Sequence, residues 1–541
     1  MLLSHFKRPA RRLLGGLATL SGGDFAASSL LFSAVYAAAL FGALGCGSTD
    51  GTAVGDAGAT DPPSPPSNGG TVADAGNGDM PSYFLFVTDS HVGDNTCTAS
   101  GTAVVPLDNL RTFLNKVAPA FPRAIVINGG DLVDNGRFPD DWQGYYSAIM
   151  AQKVLNGDWV ADPAQTAAPG YPWYMEIVGN HDVKFDDYNS TKDGCNILAP
   201  SATPFCKGYN MCCNGYNMWA KYTATGPNGR SGVEAIPMST SSSTVRVVRA
   251  DTAASTSTSA TTNNSENIGG VFDDVQASAL SSSYNGGSCS SRNCWTVVVA
   301  HHPYKGSALE QKVAPDSSTP MGRLLDAVRP RIYFAGHTHV SNLQWFDNDR
   351  GDRILQVTGQ GFGKYGNKYT PDIPSGCKVS STEVPQCTDY TAANTTVVLA
   401  SLDHDQDRSV VVAAVTRPFD PANGLSWPVV FITSPGDRYL GDPDRHTANG
   451  VYKTQKWKEP HTLRVLAFAR PGQRIKAVAC HIDYTGDVAL EQPQPSQEPA
   501  IWSKAFNAPG TMLGSDQDIK CIATDSDGNA GTATITIRVG L

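Results

Sequence analysis

The stretch Asn128-Gly129-Gly130-Asp131-Leu132-Val133-Asp134 decides the fold that the rest of the sequence supports. It follows the apolar run 124–127, whose β-branched residues, closed by two glycines, predict a buried strand that ends in a loop. The carboxyl ends of parallel strands are where α/β proteins place their binding and catalytic sites. Asp131 is therefore predicted to lie at the opening of a site, although an aspartate in this position can also cap a helix or a turn.

Four further apolar runs end in clusters of polar side chains, and each has the length of a buried strand. These runs cover residues 83–88, 173–178, 296–300 and 332–335. The clusters that follow them are Asp89-Ser90-His91, Gly179-Asn180-His181-Asp182, His301-His302 and Gly336-His337-Thr338-His339. Apolar residues at helical spacing separate several of the runs, as in segment 107–117. The alternation predicts an α/β domain whose polar clusters meet at one edge of the sheet.

Two of the clusters have the spacing of a metal-binding pair. In Asp89-x-His91 and His337-x-His339, extended backbone would project residues i and i+2 to the same side, where both can reach one ion. Oxygen and imidazole donors together favour iron, manganese or zinc, whereas calcium prefers oxygen donors alone. The sequence therefore predicts a transition-metal site at the strand ends.

The ordered clusters resemble the motifs of the calcineurin-like metallophosphoesterase superfamily. That pattern runs D-x-H, G-D, G-N-H-D/E, H and G-H-x-H, and all five motifs occur in this order in the sequence. The resemblance implies a four-layer α/β/β/α sandwich with two metal ions bridged by Asp131. The implied ligands of the first ion are Asp89, His91 and His339. The implied ligands of the second ion are Asn180, His301 and His337.

The same resemblance implies the chemistry. Two divalent or trivalent ions of iron, manganese or zinc would lower the pKa of a bridging water, and the resulting hydroxide would attack phosphorus in line. His181, the histidine of G-N-H, would face the leaving-group oxygen as a proton donor or electrostatic stabiliser, with Asp182 orienting it. His302 is expected to support a ligand or to face the substrate rather than to bind metal. Asp134 is expected to cap the following turn.

The subclass and the substrate stay open at this point. Purple acid phosphatases, which the region from His339 to Gly361 also resembles, carry tyrosine three residues after the bridging aspartate, where this sequence has Asp134. The motifs fit class III cyclic-nucleotide phosphodiesterases equally well. Hydrolysis of phosphomonoesters is favoured, with diesters as the alternative. A third hypothesis is a surface binding protein that keeps the fold without turnover, but retention of all seven ligands and His181 argues against it.

Length and composition limit the domain count and the partners. A chain of 541 residues predicts two or three domains. Only 17% of the residues are charged and the net charge is −9, which leaves no broad basic surface of the kind that nucleic-acid binding needs. The predicted partner is a phosphate-ester substrate, and the sequence does not predict an oligomeric state.

The N-terminus has the pattern of an export signal. The basic segment 7–12 precedes an apolar segment at 30–44, and Ala43-Leu44-Gly45-Cys46 resembles a bacterial lipoprotein signal in which the cysteine is lipidated. A plain cleaved signal and a single membrane anchor are the alternatives. Residues 1–46 are predicted to be the signal, and 47–82, rich in small and polar residues, a flexible tether. The predicted location is the cell envelope, with a lipid anchor to a membrane.

The catalytic domain is predicted to span residues 83–420, after which only short alternating strands follow. This change predicts an all-β, Ig-like sandwich at 427–541. Cys480 and Cys521 are placed where an inter-sheet disulfide could lie, and Trp502 between them is expected in the core. Because Ile519 stands where antibody domains have a tyrosine, membership of the antibody class is not supported. Glycan or cell-wall binding, packing on the catalytic domain and spacing are alternative roles, with packing or spacing favoured.

The remaining cysteines are expected to form disulfides in an oxidising compartment. Local spacing suggests that Cys289 pairs with Cys294 and Cys377 with Cys387. The pairing of five others is left open: Cys97, Cys195, Cys206, Cys212 and Cys213. Four of these five lie between Lys184 and Val245, a segment without periodicity that is predicted to be a disulfide-tied insertion beside the site.

Overall fold

The computed structural model describes residues 81–93, 98–99, 102–103, 106–134, 136, 139–151, 173–183, 231–237, 244–253, 270–285, 294–311, 318–362, 395–404, 409–442, 444–445, 448, 455–456, 460–493, 500–507 and 514–540. These residues belong to one compact unit, 72–541. The predicted signal, almost all of the predicted tether and most of the insertion lie outside the described residues. The same holds for Cys46, Cys97, Cys195, Cys206, Cys212, Cys213, Cys289, Cys377 and Cys387.

Five strands form the first central sheet: β1 (Ser82–Val87), β4 (Ile125–Asn128), β5 (Trp173–Glu176), β12 (Thr396–His404) and β13 (Val410–Pro418). A two-residue hairpin of β2 (Thr98–Ala99) and β3 (Thr102–Ala103) follows β1. The order across the sheet is β13-β12-β1-β4-β5, in which β1, β4 and β5 are parallel. Their carboxyl ends, which precede the D-x-H, G-D and G-N-H motifs, therefore lie at one edge.

Six strands form the second sheet: β6 (Gly232–Pro237), β7 (Thr244–Ala250), β8 (Cys294–Ala300), β9 (Ile332–Ala335), β10 (Asn342–Asp347) and β11 (Arg353–Thr358). Their order is β10-β11-β9-β8-β7-β6, with antiparallel strands only at the two edges. The four inner strands are parallel. The polar clusters after β8 and β9 therefore also share an edge.

Helices cover the outer faces of both sheets. In the described part of the chain they are α1 (Pro106–Thr112), α2 (Pro139–Ala151), α3 (Asp274–Asn285) and α4 (Pro320–Val328). Helix α1 continues as a π-helical turn (Phe113–Val117) and a 3₁₀ turn (Ala118–Ala120). Helix α4 begins with proline after Thr319, whose side chain accepts a hydrogen bond from the Gly322 N–H at 3.0 Å. Both features are preferred at a helix N-terminus.

Alternating residues of the sheets build three buried layers. Leu85 faces helices α1 and α2, where it shares a core with Phe113 and Trp142. Phe86 faces the second sheet, and its ring lies 5.0 Å from that of Phe334. The other face of the second sheet packs on α3 and α4. The order of helices, sheet, sheet and helices gives the α/β fold that the motifs imply.

Several elements of this fold were not predicted, among them one strand and one helix. Strand β6 lies inside the segment assigned to an irregular insertion, and it pairs antiparallel with β7 at the sheet edge. Helix α3 lies in a Ser/Thr-rich run and buries only a few apolar side chains, among them Ala277 and Leu280. Short edge elements with little apolar surface carry a weak periodic signal, which is why the sequence missed them.

In the residues that the structure describes, the C-terminal region is all-β and contains two sheets. The first joins β14 (Val429–Ser434), β16 (Pro460–Phe468) and β19 (Ile501–Asn507). The second joins β15 (Gln455–Lys456), β21 (Ala530–Gly540), β20 (Asp516–Asp525), β17 (Ile475–Ile482) and β18 (Gly486–Ala489). The two sheets share a core that includes Trp502, as the sequence predicted for this residue. The Ig-like identity and the domain boundaries remain predictions.

The disulfide between Cys480 and Cys521 does not join the two sheets, and the expectation of an inter-sheet bridge was wrong. Cys480 on β17 stands directly opposite Cys521 on the neighbouring strand β20, with Cα atoms 4.0 Å apart. The sequence spacing correctly predicted that these two cysteines pair. It could not show that their strands are neighbours in one sheet. Cys294 is also disulfide-bonded.

The C-terminal sheets pack directly on the catalytic region. Phe468 of β16 contacts Phe121 and Tyr83, with ring centroids 4.3 and 5.5 Å apart. Nearby, the buried carboxylate of Asp403 on β12 pairs with Arg464 on β16 and accepts a hydrogen bond from Thr433 at 2.7 Å. These apolar and ionic contacts show that the C-terminal sheets pack against the α/β region and are not only a spacer. Within the described residues, no helix is both long and apolar enough to cross a membrane.

Replacing Arg464 with alanine is expected to lower the free energy of unfolding by about 3–5 kcal/mol, because Asp403 would be left buried without its counter-charge. Urea unfolding of the full chain measures the change. The double variant Asp403→Leu/Arg464→Met should recover most of the loss. Arg353→Ala, which breaks an exposed ion pair with Asp347, is the control and should cost at most about 1 kcal/mol. Equal losses for Arg464→Ala and Arg353→Ala would contradict the prediction.

Candidate metal centre

Backbone hydrogen bonds tie the loops after the parallel strands to one another. The Asp89 N–H donates to the Gly130 carbonyl and the His91 N–H to the Asp131 carbonyl, both at 2.9 Å. The Phe362 N–H, after β11, donates to the Thr88 carbonyl at 2.9 Å and so joins the two sheets. These contacts set the D-x-H and G-D motifs side by side at the sheet edge.

Five of the seven predicted ligands have left-handed backbone. Their φ angles are 53° at Asp89, 42° at His91, 49° at Asp131, 69° at His337 and 56° at His339. The expectation that extended backbone brings each i, i+2 pair together was therefore wrong, since tight turns do so instead. Such a conformation costs a non-glycine residue about 1–2 kcal/mol and concentrates at functional sites.

One of these turns requires a glycine, because side chains of another loop lie close to its backbone. A Cβ at Gly336, which precedes His337, would overlap the Thr88 hydroxyl and the Asp89 carboxylate. The His337 N–H donates to that same carboxylate at 3.0 Å. The glycine of G-H-x-H therefore lets the last motif pack against the first.

Asp89, His91, Asp131 and His339 form the first donor group, with one ligand atom from each within 4.8 Å of the others. His339 Nε2 lies 3.2 Å from Asp89 Oδ1 and 3.2 Å from His91 Nε2. His91 Nε2 lies 3.7 Å from Asp131 Oδ2. Apart from the shared Asp131, these are the residues that the family resemblance implies for the first ion.

The second donor group converges on the side-chain oxygen of Asn180. This Oδ1 lies 3.0 Å from His301 Nε2 and 3.0 Å from His337 Nδ1. His301 Nε2 is also 3.3 Å from Asp131 Oδ2. The structure thus brings together the residues implied for the second ion, and it places Asp131 against both groups.

Nearby charges decide how the buried carboxylates of the site ionise. Burial would raise the pKa of Asp89, but His339 and His301 outweigh it and lower the pKa to about 2. Burial opposes charge on Asp131 in the same way, yet His301 and His181 hold its pKa well below the usual value. Burial would lower the pKa of His301, but the Asp131 and Asp89 carboxylates raise it to about 9. The ionised carboxylates of Asp89 and Asp131 thus stabilise positive charge between them, which favours the binding of cations.

The second ring nitrogen of two ligand histidines is held by an oxygen. His301 Nδ1–H donates to the Gly129 carbonyl at 2.9 Å, and His91 Nδ1–H donates to Asp134 Oδ1 at 3.2 Å. Burial lowers the pKa of His91 to about 4, so this ring is neutral at neutral pH and its Nε2 lone pair faces the first donor group. The neutral His91 ring, oriented in this way, is the form in which histidine binds metal. The residues of the site therefore fit bound metal ions, whose identity the donor types do not select.

His181 lies beside both donor groups without being needed by either. Its ring is 4.5 Å from that of His91, and its Nε2 is 4.0 Å from Asp131 Oδ2. Its Nδ1–H donates to the Asp134 carbonyl at 2.6 Å, and its backbone N–H donates to Asp131 Oδ1 at 2.7 Å. With its side chain 17% exposed, His181 is positioned to meet a substrate that enters the site.

Asp182 does not hold the His181 ring, which corrects the orienting contact expected from the motif. Its Oδ1 accepts hydrogen bonds from the Leu132 and Val133 N–H groups at 2.8 and 3.1 Å. Its Oδ2 accepts one from the Gly179 N–H at 2.8 Å. Asp182 therefore joins the loop that carries Asp131 to the loop that carries Asn180, and it acts on the site through the backbone.

Asp134 has contacts that the sequence did not predict. Its carboxylate bonds to His91 and lies 3.6 Å from His181 Nδ1, while its carbonyl accepts the hydrogen bond from His181. One ligand atom each from His91, Asp134 and His181 also lies within 4.8 Å of the others. Both histidines, however, already donate hydrogen bonds to Asp134. Asp134 thus supports two site histidines instead of only capping a turn. Its position three residues after Asp131 is the signal that could have identified it.

His302 is buried and its ring packs against that of His337, with centroids 4.3 Å apart. Its Nδ1 lies 3.0 Å from the Thr252 hydroxyl. One ring nitrogen from each of His301, His302 and His337 also lies within 4.8 Å of the others. The contacts with Thr252 and His337 favour the expected supporting role, because they fix the ring of an implied ligand.

Asp134→Asn is expected to weaken the first metal site about 10- to 100-fold, because the amide cannot accept the His91 hydrogen bond as a charged carboxylate does. The contact to His181 should persist, since asparagine keeps the backbone carbonyl. Metal titration of chelator-treated protein measures the affinity. Asp108→Asn, an exposed position on α1, is the matched control. An unchanged metal affinity in Asp134→Asn would refute the supporting role.

Comparison with known proteins agrees with this geometry. Residues 82–341, a little under half of the chain, match the family model described as calcineurin-like phosphoesterase. A search of curated proteins found no match to the sequence.

Two solved structures show a distant likeness. One is a purple acid phosphatase from yellow lupin (Lupinus luteus) seeds, with 12% identity and a TM-score of 0.34 over 64% of this chain and 53% of that one. The chain thus spans about half the length of that protein. The other is a protein serine/threonine phosphatase from Saccharomyces cerevisiae, with 12% identity and a TM-score of 0.24 over 62% of this chain and 79% of that one. These scores are too low to establish a shared fold.

The family match and the geometry of the site agree with each other. Residues 82–341 are similar to a calcineurin-like phosphoesterase domain. The His and Asp groups of this region could bind metal ions.

Proposed function

We propose that this domain hydrolyses phosphate esters at a two-metal site and that phosphomonoesters are its favoured substrates. The observation that carries the proposal is the position of Asp131 Oδ2, 3.3 Å from His301 Nε2 and 3.7 Å from His91 Nε2. A carboxylate oxygen this close to both donor groups supports the proposal that Asp131 would bridge two ions.

Two sets of residues would hold the two ions. The first ion would be held by Asp89, His91 and His339. The second ion would be held by Asn180, His301 and His337, and Asp131 would bind both ions. Metal ions bound there would activate a water molecule as the nucleophile and offset charge on the phosphate oxygens. The strained turns and the oxygen contacts to His91 and His301 keep the donors in place before any ligand arrives, which reduces the reorganisation that binding requires.

His181 is proposed to assist the leaving group. Because its Nδ1–H is donated to the Asp134 carbonyl, its Nε2 carries a proton only when the ring is positively charged. In that form the ring can both stabilise negative charge and donate the Nε2 proton to the departing oxygen. The backbone link from Asp182 to the Asp131 and Asn180 loops keeps His181 at this distance.

Hydrolysis of phosphodiesters is the second candidate activity, and Asp134 favours it. Its carboxylate is 32% exposed beside His91, in the place where purple acid phosphatases carry a tyrosine. A monoester dianion would meet this negative charge, whereas a diester carries one charge less. Cyclic nucleotides are among the diesters to be tested.

A substrate panel tests the proposal against a non-catalytic binding role. The purified chain, stripped with chelator and reloaded with manganese or zinc, is assayed with p-nitrophenyl phosphate and with its bis-ester. Metal-dependent release of p-nitrophenol from either ester is expected, with the faster ester identifying the class. If protein that holds two metals per chain hydrolyses neither ester, the proposed enzymatic function is wrong.

The envelope location is a separate proposal that rests on the sequence alone. We propose that the chain is exported and lipidated at Cys46, and that residues 427–541 are an Ig-like domain. In a cell-fractionation experiment, Cys46→Ser should move the protein from the membrane fraction to the soluble fraction. Unchanged membrane association of the variant would exclude the lipid anchor at this residue.

A further inference from the structure

A second cavity lies between the catalytic region and the C-terminal sheets. Its volume is about 330 Å³, and its walls come mainly from β13, β14 and β21. Val415, Phe431 and Leu440 give it apolar surface, and Thr534 adds a hydroxyl. Its size falls in the range of small-molecule sites, and its lining includes no residue of the two metal donor groups.

Arg417 brings a positive charge into this wall without an acidic partner among the described residues. Its Nη2 donates one hydrogen bond, to the Val430 carbonyl at 2.7 Å. Its Nε is buried and has no hydrogen-bond partner within the described part of the chain. Burial lowers the pKa of the guanidinium, and no carboxylate opposes that effect. Since a buried charge is costly unless it is paired, an anion in the cavity would be stabilised by Arg417.

The other charged residues that line the cavity offset one another. Arg445 Nη2 lies 3.3 Å from Asp437 Oδ1. The same carboxylate oxygen accepts hydrogen bonds from the Thr536 and Tyr439 N–H groups at 3.1 and 3.2 Å. Asp437 is therefore held by the backbone of its own loop, by β21 and by Arg445, so the charged residues of the lining together carry one positive charge in excess.

We propose that this cavity binds an organic monoanion, a carboxylate carried on a compact apolar body. The carboxylate would lie against the Arg417 guanidinium, and the apolar part against Val415, Phe431 and Leu440. One negative charge on the ligand matches the one positive charge in excess on the lining. Because the walls are partly charged and partly apolar, they suit a ligand with one polar end. Inorganic phosphate suits the cavity less well, because a dianion without apolar surface would leave most of the walls uncovered and would meet Asp437.

Calorimetry and thermal unfolding of the full chain test this proposal, with benzoate and hexanoate as probes. Both acids are expected to bind saturably in the millimolar range or tighter and to raise Tm. Benzyl alcohol, which keeps the ring without the charge, should bind at least about tenfold more weakly than benzoate. Inorganic phosphate, tested on protein whose metals have been removed, should give no comparable shift.

Arg417→Met should weaken benzoate binding by about tenfold or more, because it removes the guanidinium and keeps the apolar stem. Arg353→Met, which removes an exposed arginine that does not line the cavity, is the matched control and should bind benzoate as the unmodified chain does. Equal binding of benzoate and benzyl alcohol by the unmodified chain would overturn the proposal even if Arg417→Met failed to fold. Undiminished benzoate binding by folded Arg417→Met would overturn it as well.

Discussion

Asp131→Asn is expected to remove most of the phosphoesterase activity, with kcat/KM falling by about a thousandfold or more. Asp131 Oδ2 lies close to both donor groups, at 3.3 Å from His301 Nε2 and 3.7 Å from His91 Nε2. An amide has nearly the same shape but carries no charge, so it cannot bridge two cations or balance them. Because each 1.36 kcal/mol is tenfold in rate, losing several kcal/mol of charge stabilisation gives a change of this size.

Metal analysis and p-nitrophenyl phosphate assays on the same sample measure this prediction. The metal content of Asp131→Asn should fall below that of the unmodified chain, while its circular dichroism spectrum is retained. Asp347→Asn is the matched control, since Asp347 is a half-exposed aspartate at the end of β10. A folded Asp131→Asn protein with full metal content and full activity would show that Asp131 is not the bridging ligand.

The parts of the fold that sequence predicted are those with strong apolar periodicity. Strands such as β1 and β8 are buried along nearly their whole length, so their apolar runs are long and their polar ends conspicuous. Helix α3 and strand β6 bury little and were missed. Strand adjacency is a further limit, since the spacing of Cys480 and Cys521 is compatible with a bridge between sheets and with one inside a sheet.

The sequence could name the candidate site residue by residue because each implied ligand belongs to a short motif at a strand end. The supporting contacts follow from tertiary structure, which local sequence does not encode. Asp134 reaches His91 across 43 positions, and the Gly129 carbonyl reaches His301 across 172. For the same reason the motif H-D suggested a contact between His181 and Asp182, whereas the fold turns Asp182 toward three backbone N–H groups. Adjacent residues in a turn point to different partners.

His181→Asn is expected to lower kcat by about 10²- to 10⁴-fold while metal content stays unchanged. The ring makes no contact that either donor group needs, and its Nε2 lies 4.0 Å from Asp131 Oδ2, where a departing oxygen can receive its proton. The loss should depend on the leaving group. An alkoxide must be protonated as it leaves, whereas p-nitrophenolate departs as an anion, so an alkyl phosphate should suffer more than p-nitrophenyl phosphate. His481→Asn, at an exposed histidine of β17, is the matched control.

The leaving-group series separates the two roles proposed for His181. If the ring only stabilises charge, the loss of kcat should be similar for alkyl and p-nitrophenyl esters. If the ring donates its proton, the gap between the two esters should widen in the variant. Loss of bound metal in His181→Asn would contradict both roles, because it would place the histidine in the metal site itself.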